Sequence, residues 1–275
     1  MDLDQLLKKY SKGEIGINEV RREISLENLA YVGNNIARLD VQRETRKGCP
    51  EVILAIGKQY NDLYEITMKI LEKTQLALIS KASQKVCTKL AAQLRQGGFV
   101  VERAARGTTL LVSTQELIFD NSNPQIGIIC AGTSDIPIAE EVRLMAKAMG
   151  CIGNVHYDVG IAGMHRFIPV LREFMQKNVE SIVVVAGMEG ALPSVISALV
   201  DVPVIGVPTS VGYGMGAGGI GALTSMLQTC TFGLAVMNID NGIGAGAFAA
   251  LICKRMSLGR SGNDDLLSAS LQRTM

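Results

Sequence analysis

The chain has 275 residues, room for one large domain or two modest ones, and 48% hydrophobic against 19% charged residues excludes wholesale disorder. Its 27 basic and 26 acidic residues leave a net charge of +1, which excludes an electrostatic grip on nucleic acid or on an anionic membrane. Trp is absent and aromatics are only 4%, which argues against stacking platforms for single strands, and two histidines argue against a multi-histidine metal centre.

The N-terminal stretch MDLDQLLKKYSKGE lacks the apolar core of a signal peptide. The six cysteines are scattered without a CxxC, which fits a reducing cytosol, so a cytoplasmic location is expected. Leu3, Leu6 and Leu7 make a short amphipathic turn, and Val20, Ile24 and Leu26 continue its spacing. Gly48 and Pro50 break one helix, and Pro50 is placed to start another. Ile53, Leu54, Ile56, Tyr60, Leu63, Ile66, Ile70 and Leu71 recur at helical intervals, so residues up to about 95 read as helical. After Gly97-Gly98, two strands are expected, turning at Arg106-Gly107.

Asp120-Asn-Ser-Asn-Pro124 is a cluster of turn formers and marks a boundary. The expected division is an N-terminal helical or α+β region over 1–122, a second domain over 123–258, and a tail over 259–275, loose or an edge helix. From 126 onward apolar strands and helices alternate. Strands are expected at Ile126–Ala131, Ile152–Tyr157, Ser181–Ala186, Val202–Val207 and Leu234–Ile239. The helices after them are expected from about Pro137, Met164, Leu192, Ile220 and Ala245. Five apolar β-branched runs each followed by a helix imply an α/β fold with a doubly wound, five-stranded parallel sheet.

Ligands of such sheets sit beyond the carboxyl ends of the strands. The residues there are Ala131–Asp135, Asp158–Gly160, Ala186, Gly187, Met188, Glu189 and Gly190, then Pro208, Thr209 and Ser210, then Asn238 and Asp240. Gly132, Thr133 and Ser134 offer N–H groups and hydroxyls at a helix start, which suits an anion. Asp135 is either a ribose or base partner or simply the helix N-cap. Gly214 to Gly219 matches GxGxxG, but Pro208 to Tyr213 separate it from its strand, so it reads as a lid or a close-packing turn. Gly163, His165 and Arg166 follow the second strand loop, and of the two histidines only His165 falls where a ligand belongs; His156 reads as packed within its strand. Cys130, Cys151 and Cys253 sit in apolar contexts and read as inert packing residues. Cys230 ends a helix, a position that disfavours a thiolate.

GTSDIPIAEE, YDVGIAGMHR, VVVAGMEGALPSVISALVDVPVIGVPTSVGYG, MLQTC and NIDNGIGAGAFAA together resemble the LarB family of nickel-pincer cofactor biosynthesis proteins. That family carries a domain related to PurE, the aminoimidazole ribonucleotide carboxylase and mutase. LDVQRETRKGCPEVILAIGK resembles the LarB N-terminal region, whereas GYGMGAGGIGAL departs from the family's usual loop. The resemblance implies carboxylation of nicotinic acid adenine dinucleotide at pyridinium C5 and hydrolysis of its phosphoanhydride. The products would be AMP and pyridinium-3,5-biscarboxylic acid mononucleotide. It implies Cys230 as nucleophile, Ser134 and Asp135 as ribose-phosphate and ring-orienting residues, and His165 and Asp158 as candidates for proton transfer. Carbon dioxide or bicarbonate would be co-substrate, with no tightly bound cofactor and Mg²⁺ a candidate for the hydrolysis step. A homo-octamer is implied as well. The competing readings are a PurE-type mutase or carboxylase, which needs no thiol, and a non-catalytic nucleotide-binding module.

Overall fold

A computed structural model of the chain describes residues 3–25, 30–32, 37–40 and 43–272. The expected helical position Leu26 lies outside them. The chain forms two compact units, one of Met1–Arg103 with Thr108–Leu117 and one of Ala104–Gly107 with Ile118–Met275.

The first unit opens with helices α1 (Leu3–Ser11) and α2 (Ile17–Ser25), a two-stranded antiparallel pair, β1 (Ala30–Val32) with β2 (Ala37–Leu39), and the short α3 (Arg43–Lys47). Next come β3 (Val52–Leu54), α4 (Tyr60–Thr74), β4 (Leu76–Ser80), α5 (Gln84–Gln96), β5 (Val100–Arg103) and β6 (Leu110–Ser113). The last four strands form a mixed sheet in the order β3-β4-β6-β5. The turn between β5 and β6 forms where expected, with Arg106 in the left-handed region at φ +55°.

Pro50 does not start a helix, and Ile53 and Leu54 lie in a strand instead. A short apolar run is ambiguous in periodicity, and here pairing with β4 decides for a strand. LALIS likewise falls within the stretch expected to be helical. It is a strand buried on both faces, with Ala77, Leu78 and Ile79 wholly inaccessible, so it shows no alternation. The helical period from Tyr60 onward is real, and its buried stripe is Leu63, Ile66, Ile70 and Leu71.

The second unit is built of β7 (Gln125–Cys130), α6 (Ile136–Ala148), β8 (Ile152–His156), α7 (Phe167–Gln176), β9 (Ser181–Ala186), α8 (Leu192–Ser197), β10 (Val204–Pro208), α9 (Ile220–Leu227), β11 (Leu234–Val236) and α10 (Gly242–Gln272). All five strands are parallel, in the order β11-β10-β9-β7-β8. The doubly wound parallel sheet expected from the β-branched runs is therefore the fold. The tail expected from 259, loose or an edge helix, continues α10 as far as Gln272.

Two glycine positions show how the sequence makes room for this packing. A Cβ on Gly127 would lie 2.6 Å from the ring of Phe174, so β7 yields space to the fully buried α7 aromatic. A Cβ on Gly246 would meet the Val142 carbonyl at 2.7 Å, so α10 lies backbone-close on α6. Among the described residues no helix is long and apolar enough to cross a membrane.

The order of the strands fixes where a ligand can go. From β7 the chain moves to β8 on one side, then crosses back to β9 on the other. The loops after β7 and β9 therefore diverge and leave a crevice at the carboxyl ends.

Candidate active site

That crevice is a cavity of about 370 Å³. Its lining includes Ala131 to Asp135 from the β7 loop, Asp158, Gly160, Ile161, Ala162 and Arg166 from the β8 loop, and Ala186 to Glu189 from the β9 loop. Ala191, Leu192 and Val211 close it. The cavity thus gathers Gly132, Thr133, Ser134, Asp135, Asp158, Arg166, Ala186, Gly187, Met188 and Glu189 from the expected set.

The β7 loop turns through a 3-10 turn, Thr133–Asp135, into α6. Asp135 is 4% exposed and points inward, where its Oδ2 accepts from the Gly132 N–H at 2.9 Å and its Oδ1 from the Thr209 hydroxyl at 2.7 Å. Burial pushes its carboxyl up from the ordinary range, while the bonds from Thr209 and Gly132 work the other way. Two expectations change here. The Gly132 N–H is engaged by Asp135, so the exposed Thr133 and Ser134 are left as the anion-facing groups of the loop. Thr209 is wholly buried, bonded to Asp135 and absent from the cavity lining, so it fixes the floor of the site rather than its wall.

Asp158 sits in the left-handed region at φ +57°. The Arg166 guanidinium donates to the Asp158 carbonyl at 3.1 Å and lies 3.5 Å from its Oδ2. Gly163 makes this possible by having no side chain: a Cβ there would lie 2.8 Å from Arg166 Nε and 3.1 Å from His165 Cε1. Its place in the site is therefore to admit those side chains. His165 is exposed and does not line the cavity. His156 lies in β8, 3.2 Å from Glu173 and edge-on to Phe174 at 5.5 Å, a packed position.

The β9 loop is locked to the β10 loop. The Met188 N–H donates to the Val211 carbonyl at 2.9 Å, and a Cβ on Gly187 would fall 2.3 Å from that same oxygen. Gly190, at φ +62°, meets α9 so closely that a Cβ would lie 2.7 Å from Ala222 Cα. Met188 itself is left-handed at φ +50°, which holds Glu189 out at the cleft. The Gly214–Gly219 turn is a close-packing device at its far end, where a Cβ on Gly219 would meet the Thr209 carbonyl at 2.9 Å. Pro208, Ser210, Asn238 and Asp240 do not line the cavity. Asp240 accepts from the Ser210 N–H at 2.9 Å and donates its own N–H to the Pro208 carbonyl at 2.9 Å, tying the β10 loop to the β11 end.

Cys230 is not in the cleft of its own chain. It follows α9, and its neighbours are pinned beside the start of β10: the Gly233 carbonyl accepts from the Val204 N–H at 3.0 Å, and the Thr231 and Ser197 hydroxyls are 2.6 Å apart. The register Val204↔Ile182↔Gly127 puts that level at the amino ends of the strands. The cleft begins about four residues further on, at Ala131, or roughly 13 Å along strands rising 3.3 Å per residue. The physical reason is plain: in a βα unit the helix carries the chain back, so a residue at a helix end lies at the opposite edge from a residue at a strand end. The thiol nearest the cleft is Cys130, which is wholly buried beneath it and donates to the Gly132 carbonyl at 3.4 Å. Burial pushes that thiol up to about 11.

One cluster beside the site was not anticipated. Glu140, 2% exposed on α6, accepts from the Tyr157 hydroxyl at 2.6 Å, from Arg143 Nε at 2.6 Å and from the Ala105 N–H at 2.8 Å. Burial works to raise its carboxyl, but the bonds from Arg143, Tyr157 and Ala105 outweigh it and hold it below the ordinary range. Tyr157 directly precedes Asp158, so this cluster anchors the β8 loop. Nothing in the helical pattern of α6 marks Glu140, because its partners come from distant segments. Among the described residues no group of three or more His, Cys, Asp or Glu could hold a metal ion.

Residues 125–263 match the AIR carboxylase family, and residues 31–112 match the LarB/PurE-like N-terminal domain. The chain is 40% identical over 258 residues to an uncharacterised protein of Methanocaldococcus jannaschii, which covers 93% of this chain and 98% of that one. It is 30% identical over 109 residues to N5-carboxyaminoimidazole ribonucleotide mutase of Pyrococcus abyssi, covering 38% of this chain and 59% of that protein. It is 28% identical over 118 residues to phosphoribosylaminoimidazole carboxylase of Candida albicans, covering 42% of this chain and 20% of that one. The chain therefore belongs to the AIR carboxylase family, and it carries a LarB/PurE-like N-terminal domain.

Proposed function

We propose that this chain carboxylates nicotinic acid adenine dinucleotide at pyridinium C5 and hydrolyses its phosphoanhydride, as its resemblance to the LarB family implies. The observation that carries the reading is the charge pattern of the cleft. Thr133 and Ser134 offer an anion anchor at the start of α6, while the carboxylates of Asp158 and Glu189 line the same cavity with Arg166 as its one lining cation. Such a lining suits a ligand that is phosphorylated at one end and cationic in its ring. A pyridinium nucleotide has that character, and neutral aminoimidazole does not.

The ring is electron-poor and cannot attack carbon dioxide unaided. Addition to C4 of the Cys230 thiolate, brought by a neighbouring copy in the octamer that the resemblance implies, forms a C–S bond, removes the aromaticity and turns C5 into an enamine-like carbon. C5 then attacks carbon dioxide. Loss of the C5 proton to a base and departure of the thiolate restore the aromatic ring, now carrying a second carboxylate. Asp158, exposed at the cleft beside Arg166, is the base we assign to that proton. Water then attacks the phosphoanhydride and AMP leaves, a step for which Mg²⁺ is the candidate helper.

A second reading has an observation in its favour. A PurE-type mutase or carboxylase needs no thiol, and the cleft of one copy holds only the buried Cys130. The two are separated by supplying each substrate to the full-length protein. Consumption of nicotinic acid adenine dinucleotide with bicarbonate supports the first. Turnover of aminoimidazole ribonucleotide or its N5-carboxylated form, with the dinucleotide untouched, overturns it.

A further inference from the structure

Asp158 lines the cleft from a backbone held at φ +57°, a conformation that a side chain disfavours and that persists only where its surroundings fix it. After Asp158 the fixing is done by backbone. The Val159 N–H donates to the Cys130 carbonyl at 3.0 Å, and a Cβ on Gly160 would lie 2.8 Å from the Ala131 carbonyl oxygen. Before Asp158 it is done by a side chain: the Tyr157 hydroxyl donates to Glu140 Oε1 at 2.6 Å.

Glu140 is 2% exposed, and each of its oxygens takes one Arg143 nitrogen and one further donor. On Oε1 that donor is Tyr157, and on Oε2 it is the backbone N–H of Ala105 at 2.8 Å. The carboxylate is therefore fully engaged. If it served only to steady α6, Arg143 from the same helix would suffice. Instead its other donors come from the residue before Asp158 and from the turn between β5 and β6.

That turn, Ala104–Gly107, belongs to the second unit, although both of its strands belong to the first. The Gly107 N–H donates to the Ala104 carbonyl at 3.2 Å and Arg106 is at φ +55°, which makes a type II turn with Ala105 in its second position. Gly107 is buried, and its Cβ position lies 3.7 Å from Pro137 Cα in the first turn of α6.

We propose that the Ala104–Gly107 turn positions Asp158, acting through Glu140 and Tyr157. Neither Glu140 nor Tyr157 lines the cavity, so both are positioning residues. The consequence for turnover rests on the proposed function, in which Asp158 is the base; the link from the turn to the β8 loop does not.

Two substitutions open the link from opposite ends. Ala105→Pro removes the N–H while keeping the turn, since proline suits the second position of type II. Tyr157→Phe removes only the hydroxyl. Hydrogen–deuterium exchange of the full-length variants, read peptide by peptide, tests the link in both directions. Ala105→Pro should speed exchange in the peptide that carries Val159, and Tyr157→Phe in the peptide that carries Ala105, each by about tenfold or more. Peptides of α4 should not change. Arg106→Gly keeps the Ala105 N–H and suits the positive φ, so it should leave the Val159 peptide at the wild-type rate. If each substitution loosens only its own segment, the proposal is overturned, whatever the activity. Turnover of nicotinic acid adenine dinucleotide with bicarbonate then reads the consequence. Both variants should lose about ten- to hundredfold in kcat with KM within about twofold, because a misplaced base leaves binding intact. A raised KM at unchanged kcat, or no change in either, overturns the positioning role. A wild type inactive on the dinucleotide sinks the proposed function alone, and the exchange rates still decide the link.

Discussion

Gly190→Ala isolates the close approach on which the β9 loop depends. Gly190 is at φ +62°, where any residue with a Cβ pays about 1 kcal/mol relative to glycine. The new Cβ would also lie 2.7 Å from both Cα and O of Ala222, backbone atoms that cannot swing aside. Restoring ordinary contact requires α9 to move by nearly 1 Å against β10, an overpacking cost of about 1–3 kcal/mol. The expected total is about 2–4 kcal/mol. Gly150→Ala is the control, since Gly150 has φ +79° in the same unit with nothing within 4 Å of its Cβ position. It should lose only the conformational part, about 1 kcal/mol. Urea unfolding of the two variants, compared by midpoint at constant slope, measures the difference. Equal midpoints would refute the claim that α9 is seated by the missing side chain.

Thr209→Val keeps the shape but leaves Asp135 Oδ1 without its donor in a 4%-exposed position, so about 1–3 kcal/mol of stability should be lost. Thr209→Ser should recover most of it, and a serine variant as unstable as the valine one would show that the methyl, not the hydroxyl, matters. The Glu140 carboxyl is held below its ordinary range, so its stabilisation is complete above that range and is lost as pH falls through the depressed native value. The stability gap between wild type and Glu140→Gln should thus be flat from pH 8 to 5 and close below about pH 4, as followed by urea midpoints. A gap that widened in acid would contradict the assignment. Burial pushes the thiols of Cys130 and Cys151 up to about 11 and that of Cys253 up to about 12. All three should resist iodoacetamide at pH 8 in the native protein and react only in denaturant, as read by peptide mass mapping.

The second unit was legible because a parallel strand buried on both faces is written as an unbroken β-branched run. IGIIC, SIVVVA and VIGVP each contain such a run, and the strand order then dictates where loops diverge. The first unit was less so. VIL and LALIS are too short for their period to tell strand from helix, and their identity comes from pairing with each other and with β6. In the site, residue types at strand ends pointed to the loops that line the cavity, but not to which way a side chain turns. Asp135 faces inward and Thr133 and Ser134 outward, a difference set by the 3-10 turn before α6. Cys230 follows α9 and so lies at the amino ends of the strands, a level that its sequence position near β11 does not reveal. Glu140 carries no local sequence signal because its partners, Tyr157 and Ala105, lie 17 and 35 residues away.

The central claim concerns what the cleft does to a pyridinium dinucleotide. Full-length protein incubated with nicotinic acid adenine dinucleotide and ¹³C-bicarbonate, analysed by mass spectrometry, tests it directly. The account predicts AMP together with a mononucleotide that has gained one labelled carboxylate on its ring, and loss of both products in Cys230→Ala. Dinucleotide recovered unlabelled and intact from the wild type, or an undiminished yield from Cys230→Ala, would contradict it.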